Sequence, residues 1–320
     1  MADFSKLYVK DTREWLLKYI WEWVFNHDDA PIMWLCSGSG MGKTFISYTC
    51  ITNVPFKSDA LILGSYFFCG PYVQAIDMVK TIVCNLVQSV GLFSPEFTTH
   101  VQGHLSNGFL LDPFEAFLLF AVEGLKRVSP SKTILLVIDG LDECDMSTRA
   151  TVLKILNDLS PQLPSFVKLF VTSRPETEIY LCLTKLDAFE FTPLLDENLQ
   201  DIDIFLQQRF QQLGYISTEA PETSLACKKL LMEKSGGIFI YCHVVCKHLE
   251  DVDLRNALAE IQRLPLGIDG LYSFFAKKAF KSLGKYLYQT AFQKILVSSY
   301  PLDIVDLSES AIGRMHIVSV

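Results

Sequence analysis

The eight residues Ser37-Gly38-Ser39-Gly40-Met41-Gly42-Lys43-Thr44 constrain this chain more than any other stretch. An apolar run, Ile32-Met33-Trp34-Leu35-Cys36, leads into them, and Phe45-Ile46-Ser47-Tyr48 leads out. A buried strand, a glycine-rich turn and a helix start, in that order, aim successive backbone N–H groups at one point and make an anion-binding concavity. The spacing puts Lys43 where a point charge meets the β- and γ-phosphates of a nucleotide, and Thr44 where a hydroxyl ligates Mg2+. Ser37 stands where the strict pattern has glycine. That predicts a strained, positive φ at Ser37, relieved by Gly38. A Gly/Ser surface loop is the alternative; the flanking strand and helix favour the phosphate loop.

With 320 residues the chain has room for two domains, or for one large domain with an appendage. Half of it is apolar, 20% is charged, and the net charge is −8. That balance predicts a rich core and argues against a general grip on nucleic acid, which needs basic patches. No apolar run approaches the roughly 20 residues that span a bilayer. Met1 to Lys10 lacks a secretory apolar core. No membrane segment and a cytoplasmic location are therefore expected.

The nine cysteines are scattered. Cys36, Cys50, Cys69, Cys84 and Cys182 lie in apolar segments, the pattern of reduced, buried thiols. Cys242, His243, Cys246 and His248 form a cluster with ligand chemistry. A spacing of four puts Cys242 and Cys246 on one helix face. The apolar setting from Ile238 to Leu249, without a second Cys/His pair at finger spacing, favours a buried helix over a zinc site.

Periodicity predicts a helix over 12–26, capped by Asp11 or Thr12, whose aromatic stripe packs on the core. Strands are predicted at 32–36 and 61–68, a helix at 72–90, and a loop over 91–112 from its Gly, Ser, Thr and His content. A helix at 113–127 opens on Pro113. Thr133 to Ile138 is apolar enough for a strand covered on both faces. A helix at 147–158 and a strand at 166–171 complete an alternating α/β pattern, which predicts a largely parallel sheet.

The 133–138 strand runs into Asp139-Gly140-Leu141-Asp142-Glu143-Cys144. A carboxylate at the C-terminal end of such a strand lies on the edge where α/β sheets bind ligands. Asp139 is thereby a candidate for the Mg2+ shell, and Asp142 or Glu143 for orienting an attacking water. Capping of the next helix is the plain alternative for Asp142 and Glu143. The strand at 166–171 leads into Thr172-Ser173-Arg174-Pro175. In P-loop ATPases with an extra strand between the two Walker strands, such a tip faces the γ-phosphate. That makes Arg174 a candidate sensor of the nucleotide state, its fork geometry suited to phosphate oxygens. Pairing with a surface acid is the alternative.

Taken in order, these stretches resemble the NACHT group of signal-transduction ATPases, the STAND proteins, in the type found in fungal ankyrin- or WD-repeat proteins and in nephrocystin-like N-terminal regions. The matching residues are Thr12-Arg13-Glu14-Trp15-Leu16 with Ile20 and Trp23, Ile32 to Leu35, Gly40 to Thr44, Ile138 to Cys144, Thr172 to Glu176, Gly236 to Ile240, and Leu264-Pro265 with Gly267, Ile268, Asp269 and Tyr272. The Asp-Gly-Leu-Asp-Glu stretch followed by Thr-Ser-Arg-Pro is the specific part.

The resemblance implies an α/β P-loop NTPase with a parallel sheet flanked by helices, followed by a helical lid domain and a truncated winged-helix start. Its domains would be an N-terminal helical segment (1–28), the NTPase (29–193), a helical domain (194–264) and an incomplete winged-helix-like region (265–320). It implies ATP/ADP and Mg2+ as cofactors, a Walker A loop at 37–44, a Walker B segment at Asp139, and slow hydrolysis that controls conformation. Partners would be further copies or a related NACHT protein. Effector and sensor domains would lie outside this chain, which would then be a fragment, a truncated product or a regulator. A conventional ATPase with steady turnover, and a nucleotide-binding scaffold without hydrolysis, are the competing classes.

Overall fold

The computed structural model describes residues 12–26, 30–52, 60–92, 94–105, 112–128, 132–186, 189–191, 196–215 and 221–283. The chain divides into two compact units, Met1–Leu194 and Leu195–Val320.

The first unit is built on a five-stranded sheet in the order β2-β3-β4-β1-β5. The strands are β1 (Ile32–Cys36), β2 (Leu61–Phe68), β3 (Thr133–Asp139), β4 (Val167–Ser173) and β5 (Phe189–Phe191), and every neighbouring pair is parallel. β4 therefore lies between β1 and β3, and parallel pairing brings the three C-terminal ends to one edge. β5 is a strand that periodicity does not show, being too short for a pattern.

Each central strand divides its side chains between two cores, as a period of two requires. Ile32, Trp34, Ile134, Leu136, Ile138, Leu169 and Val171 enter one core. Met33, Leu35, Leu135, Val137 and Phe170 enter the other. The second core is closed by α1 (Glu14–Phe25) and α2 (Lys43–Thr52), through Leu16, Ile20, Trp23, Val24, Ile46 and Cys50. The first is closed by α3 (Ala75–Ser89), α4 (Pro95–Leu105), α5 (113–125), α6 (Met146–Leu159) and α7 (Thr177–Leu183). α5 carries a π-helical stretch, Phe117–Val122, and Asp112 caps its start by accepting from the N–H groups of Phe114 and Glu115.

Several local expectations are corrected. The 91–112 segment contains α4, because Phe97 and Val101 are fully buried and Ser94 accepts from the Phe97 N–H at 3.3 Å. Burial there overrides the loop-like composition. Cys84 is exposed, because it falls off the Met78, Val79, Ile82, Val83 and Leu86 face of α3; Cys182 is only half-buried. The N-cap of α1 is Arg13, in a left-handed conformation, rather than Thr12. Asp11 lies outside the described residues.

Gly64 marks a register shift in the β2–β3 ladder. A Cβ there would stand 2.5 Å from Ile134 Cγ2 and 3.0 Å from Leu136 Cδ2. Gly64→Ala is expected to destabilise the protein by about 1–3 kcal/mol, the usual result of overpacking. Denaturant unfolding measures this.

The second unit is helical: α8 (Asp196–Gln212), α9 (Pro221–Ser235), α10 (Phe239–His248), α11 (Leu254–Arg263) and α12 (Ile268–Leu283). Cys242 and Cys246 are fully buried on α10, and no group of three metal-ligating side chains occurs among the described residues. Gly237 takes φ 82° where Asn198 Nδ2 donates to its carbonyl at 2.9 Å. The segment expected to open a winged helix, from Phe292 to Asp303, lies outside the described residues. Among the described residues no helix is long and apolar enough to cross a membrane.

Candidate functional site

β1 ends at Cys36, and the Ser37 N–H donates to Ser173 O of β4 at 3.2 Å, so Ser37 continues the strand. Ser37 does not take the left-handed conformation expected of it, and neither does Gly38. The positive φ values fall at Gly40 (75°) and Gly42 (91°), and among the described residues Arg13 is the only non-glycine with one. Serine at the first position is thereby accommodated without strain. The tight turn is made three and five residues later, at Gly40 and Gly42.

Lys43 and Thr44 begin α2. The Lys43 ammonium folds back and donates to Ser37 O at 2.8 Å and Gly38 O at 2.9 Å. Burial pulls its pKa below the ordinary value, with Arg174 acting in the same direction and Asp142 and Asp139 opposing. The charges of the loop, of β3 and of the β4 tip therefore act on one another. Arg13 Nη2 donates to Met41 O at 2.9 Å, a link from the start of α1 to the loop that sequence reasoning did not assign.

Asp139 is buried at the end of β3. Its Oδ1 accepts from Ser47 Oγ at 2.5 Å and from Thr172 Oγ1 at 2.7 Å. Neither hydroxyl was a sequence candidate. Ser47 lies three residues after Thr44, on the same helical face, and that spacing is the signal that could have found it. Thr172 is next to Asp139 because β3 and β4 pair in register, Ile138 opposite Val171. Gly140 follows with φ 71°, and its N–H donates to Thr172 Oγ1 at 3.0 Å. This reverses the chain into the short turn Leu141–Glu143.

Asp142 and Arg174 are joined. Arg174 Nε lies 3.1 Å from Asp142 Oδ2, and the Arg174 N–H donates to Asp142 Oδ1 at 2.9 Å. The Asp142 side chain is 7% exposed and that of Arg174 50%. Arg174 thus pairs with an acid, as its alternative reading expected, but that acid is the nearly buried Asp142, itself a candidate site residue, and not a surface acid. Helix capping falls to Asp145, which accepts from the N–H groups of Ser147 and Thr148, and not to Asp142 or Glu143. Glu143 has its pKa raised by burial first and then by the charges of Asp142 and Asp139.

The residues fit a magnesium-bound nucleotide. Added Cβ atoms at Gly38 and Gly42 would meet nothing within 4 Å, so the loop encloses open space. Ser37 Oγ is buried without a hydrogen-bond partner among the described residues. Among the described residues, an ammonium bonded to its own loop carbonyls, a buried hydroxyl without a partner and a buried carboxylate on the same sheet edge are complementary to phosphate and a hard cation.

A family model described as Nephrocystin 3, N-terminal, matches residues 11–174, about half of the chain, including both Arg13 and Arg174. Vegetative incompatibility protein HET-E-1 of Podospora anserina is 26% identical over 276 residues, 83% of this chain and 20% of that protein. The chain thus spans about a fifth of the length of this curated relative. Among solved structures, Drosophila ORC bound to DNA aligns with a TM-score of 0.51 at 13% identity, over 91% of this chain and 70% of that one. The Aeropyrum pernix ORC1 protein in complex with DNA aligns more weakly, with a TM-score of 0.46 at 13% identity, over 99% and 82%. At these identities the likeness to Drosophila ORC is one of fold. The chain belongs to the nephrocystin 3 N-terminal family, and it is a P-loop NTPase of the NACHT type.

Proposed function

We propose that this chain is an ATP/ADP switch of the STAND class, in which Mg2+-dependent ATP hydrolysis is slow and resets a signalling state. The observation that carries the reading is the Arg174–Asp142 pair on the edge that also holds Lys43, Asp139 and Glu143. An arginine already held by an internal acid has two partners available, that acid and a γ-phosphate. Its choice between them differs with ATP and ADP, which is the differential contact that any nucleotide switch requires.

On this reading Ser37, Gly38, Ser39, Gly40, Met41 and Gly42 present backbone N–H groups to the phosphates, and Lys43 leaves its own loop carbonyls to join them. Thr44 and Asp139 would hold Mg2+, which neutralises charge on the β- and γ-oxygens. Ser47 and Thr172 keep the Asp139 carboxylate oriented through the bonds to Oδ1. Glu143, with Asp142 as the other candidate, orients the attacking water. Residues 29–193 are assigned as the NTPase domain behind the 1–28 segment, 194–264 as the helical domain, and 265–320 as the winged-helix-like region. Self-association, or pairing with a related NACHT protein, in the cytoplasm is the proposed output.

Nucleotide content and turnover of the purified protein test the proposal. ADP carried through purification, with turnover far below the ~10 s⁻¹ typical of enzymes, is the expected result. Rapid steady turnover without a partner would make the chain a conventional ATPase, and absence of any retained nucleotide would make it a scaffold.

A further inference from the structure

We propose that His100 and His104 form a metal site, a two-imidazole clamp on α4 for a divalent ion of the Zn2+ and Cu2+ class.

The spacing of four puts both side chains on one helix face, one above the other. The two rings meet, with centroids 4.8 Å apart and planes inclined at 67°. A metal–nitrogen bond is about 2.1 Å long, and a ring nitrogen lies about 1.2 Å from its centroid. Two imidazoles on one ion then stand about 4.6–5.3 Å apart, for N–metal–N angles from about 90° to the tetrahedral value. The observed separation falls inside that window.

His100 is already held as a ligand is held. Its Nε2 lies 2.8 Å from Leu119 O, within the π-helical stretch of α5. A carbonyl only accepts, so Nε2 carries the hydrogen, and Nδ1 of the neutral ring keeps its lone pair. The adjoining Cδ2 faces α5 too, because a Cβ on Gly124 would stand 3.5 Å from it. Nδ1 is the ring atom opposite the Nε2–Cδ2 edge, and it is thereby turned away from α5. A free ring nitrogen whose partner N–H is fixed by a backbone carbonyl is the usual arrangement of a metal-binding histidine.

His104 is exposed, and both rings border a surface hollow of about 630 Å³ with Pro95, Glu96, Thr99 and Arg127. The hollow has room for the waters that complete a coordination shell. Glu96 precedes His100 by one turn and offsets the charge of Arg127. Imidazole suits Zn2+, Cu2+ and Ni2+, whereas Mg2+ takes oxygen ligands. Two protein ligands make an open site, filled or emptied as the free ion rises or falls. Cys242 and Cys246, the other ligand pair spaced by four, differ in being fully buried, and burial raises both thiol pKa values. An ion on His100 and His104 would staple α4, whose Thr98, Thr99 and Gly103 are weak helix formers, and secure its bond to α5.

The test is calorimetric titration of the full chain with Zn2+ in excess Mg2+, followed by amide hydrogen exchange. Cys84, the exposed thiol, is replaced by serine throughout so that it does not compete. The expected result is a saturable Zn2+ site that Mg2+ leaves untouched, with slower exchange in α4 when it is filled. His104→Ala is expected to weaken that binding by roughly 10–100-fold or more and to abolish the slower exchange. His104 is exposed, so this variant keeps the fold; His100→Ala should weaken binding as much but also loses the bond to Leu119 O. Absence of Zn2+ binding, or a titration unchanged in His104→Ala, would overturn the proposal. Binding of inorganic phosphate in place of Zn2+, lost in Arg127→Ala, would make the hollow an anion site and overturn it as well. The site shares no residue with the nucleotide site, so its failure and that of the switch are separately visible.

Discussion

Replacing Lys43 with alanine is expected to lower the affinity for both ATP and ADP by roughly 10²–10⁴-fold. The folded-back ammonium shows why the loss should be large. Its partners in the free protein, Ser37 O and Gly38 O, are backbone atoms of the loop itself. Burial penalises its charged form and lowers its pKa. Two charge-assisted bonds to phosphate contribute about 3–6 kcal/mol together, and about 1.4 kcal/mol is tenfold in affinity. Equilibrium titration with ADP and ATP measures the effect. Unchanged affinity would remove Lys43 from the site.

Glu143→Gln is expected to leave nucleotide affinity within a few-fold and to slow hydrolysis by about 10²–10⁴-fold, the usual contribution of a general base. Glu143 is preferred to Asp142 for this role because both Asp142 oxygens are engaged by Arg174. The pH dependence has a definite sign. Burial and the charges of Asp142 and Asp139 raise the Glu143 pKa above 4.5. The base form is therefore lost, and the rate falls, at a higher pH than for an ordinary glutamate. Asp142→Asn removes one like charge and should move that acid limb to lower pH. It also releases Arg174, so its turnover should change without copying that of Glu143→Gln. Two variants with the same normal rate would exclude both carboxylates as the water-positioning group.

The site's framework was legible because its chemistry is local in sequence. The Ser37–Thr44 loop, the apolar run into Asp139 and the strand tip at Arg174 are each contiguous, and flanking periodicity places them on a parallel sheet. Sequence did not reveal what depends on register between strands. Thr172 meets Asp139, and Arg174 meets Asp142, only because β4 is inserted between β1 and β3. Arg13 reaches Met41 across the unit. The error at 91–112 has another origin. Local composition there favours a loop, while burial of Phe97 and Val101 favours a helix. The Ser37 expectation failed because the strict motif does not say which of its glycines make the turn.

The central claim is that the loop around Lys43 and the carboxylate of Asp139 serve one magnesium–nucleotide. A crystal structure grown with Mg2+ and a non-hydrolysable ATP analogue tests this most directly. The account predicts phosphates within the Ser37–Thr44 loop, Lys43 released from Ser37 O and Gly38 O, and the metal on the side of the phosphates that Asp139 occupies. Nucleotide bound elsewhere, or a metal held away from Asp139 with Lys43 still bonded to its own loop, would contradict it.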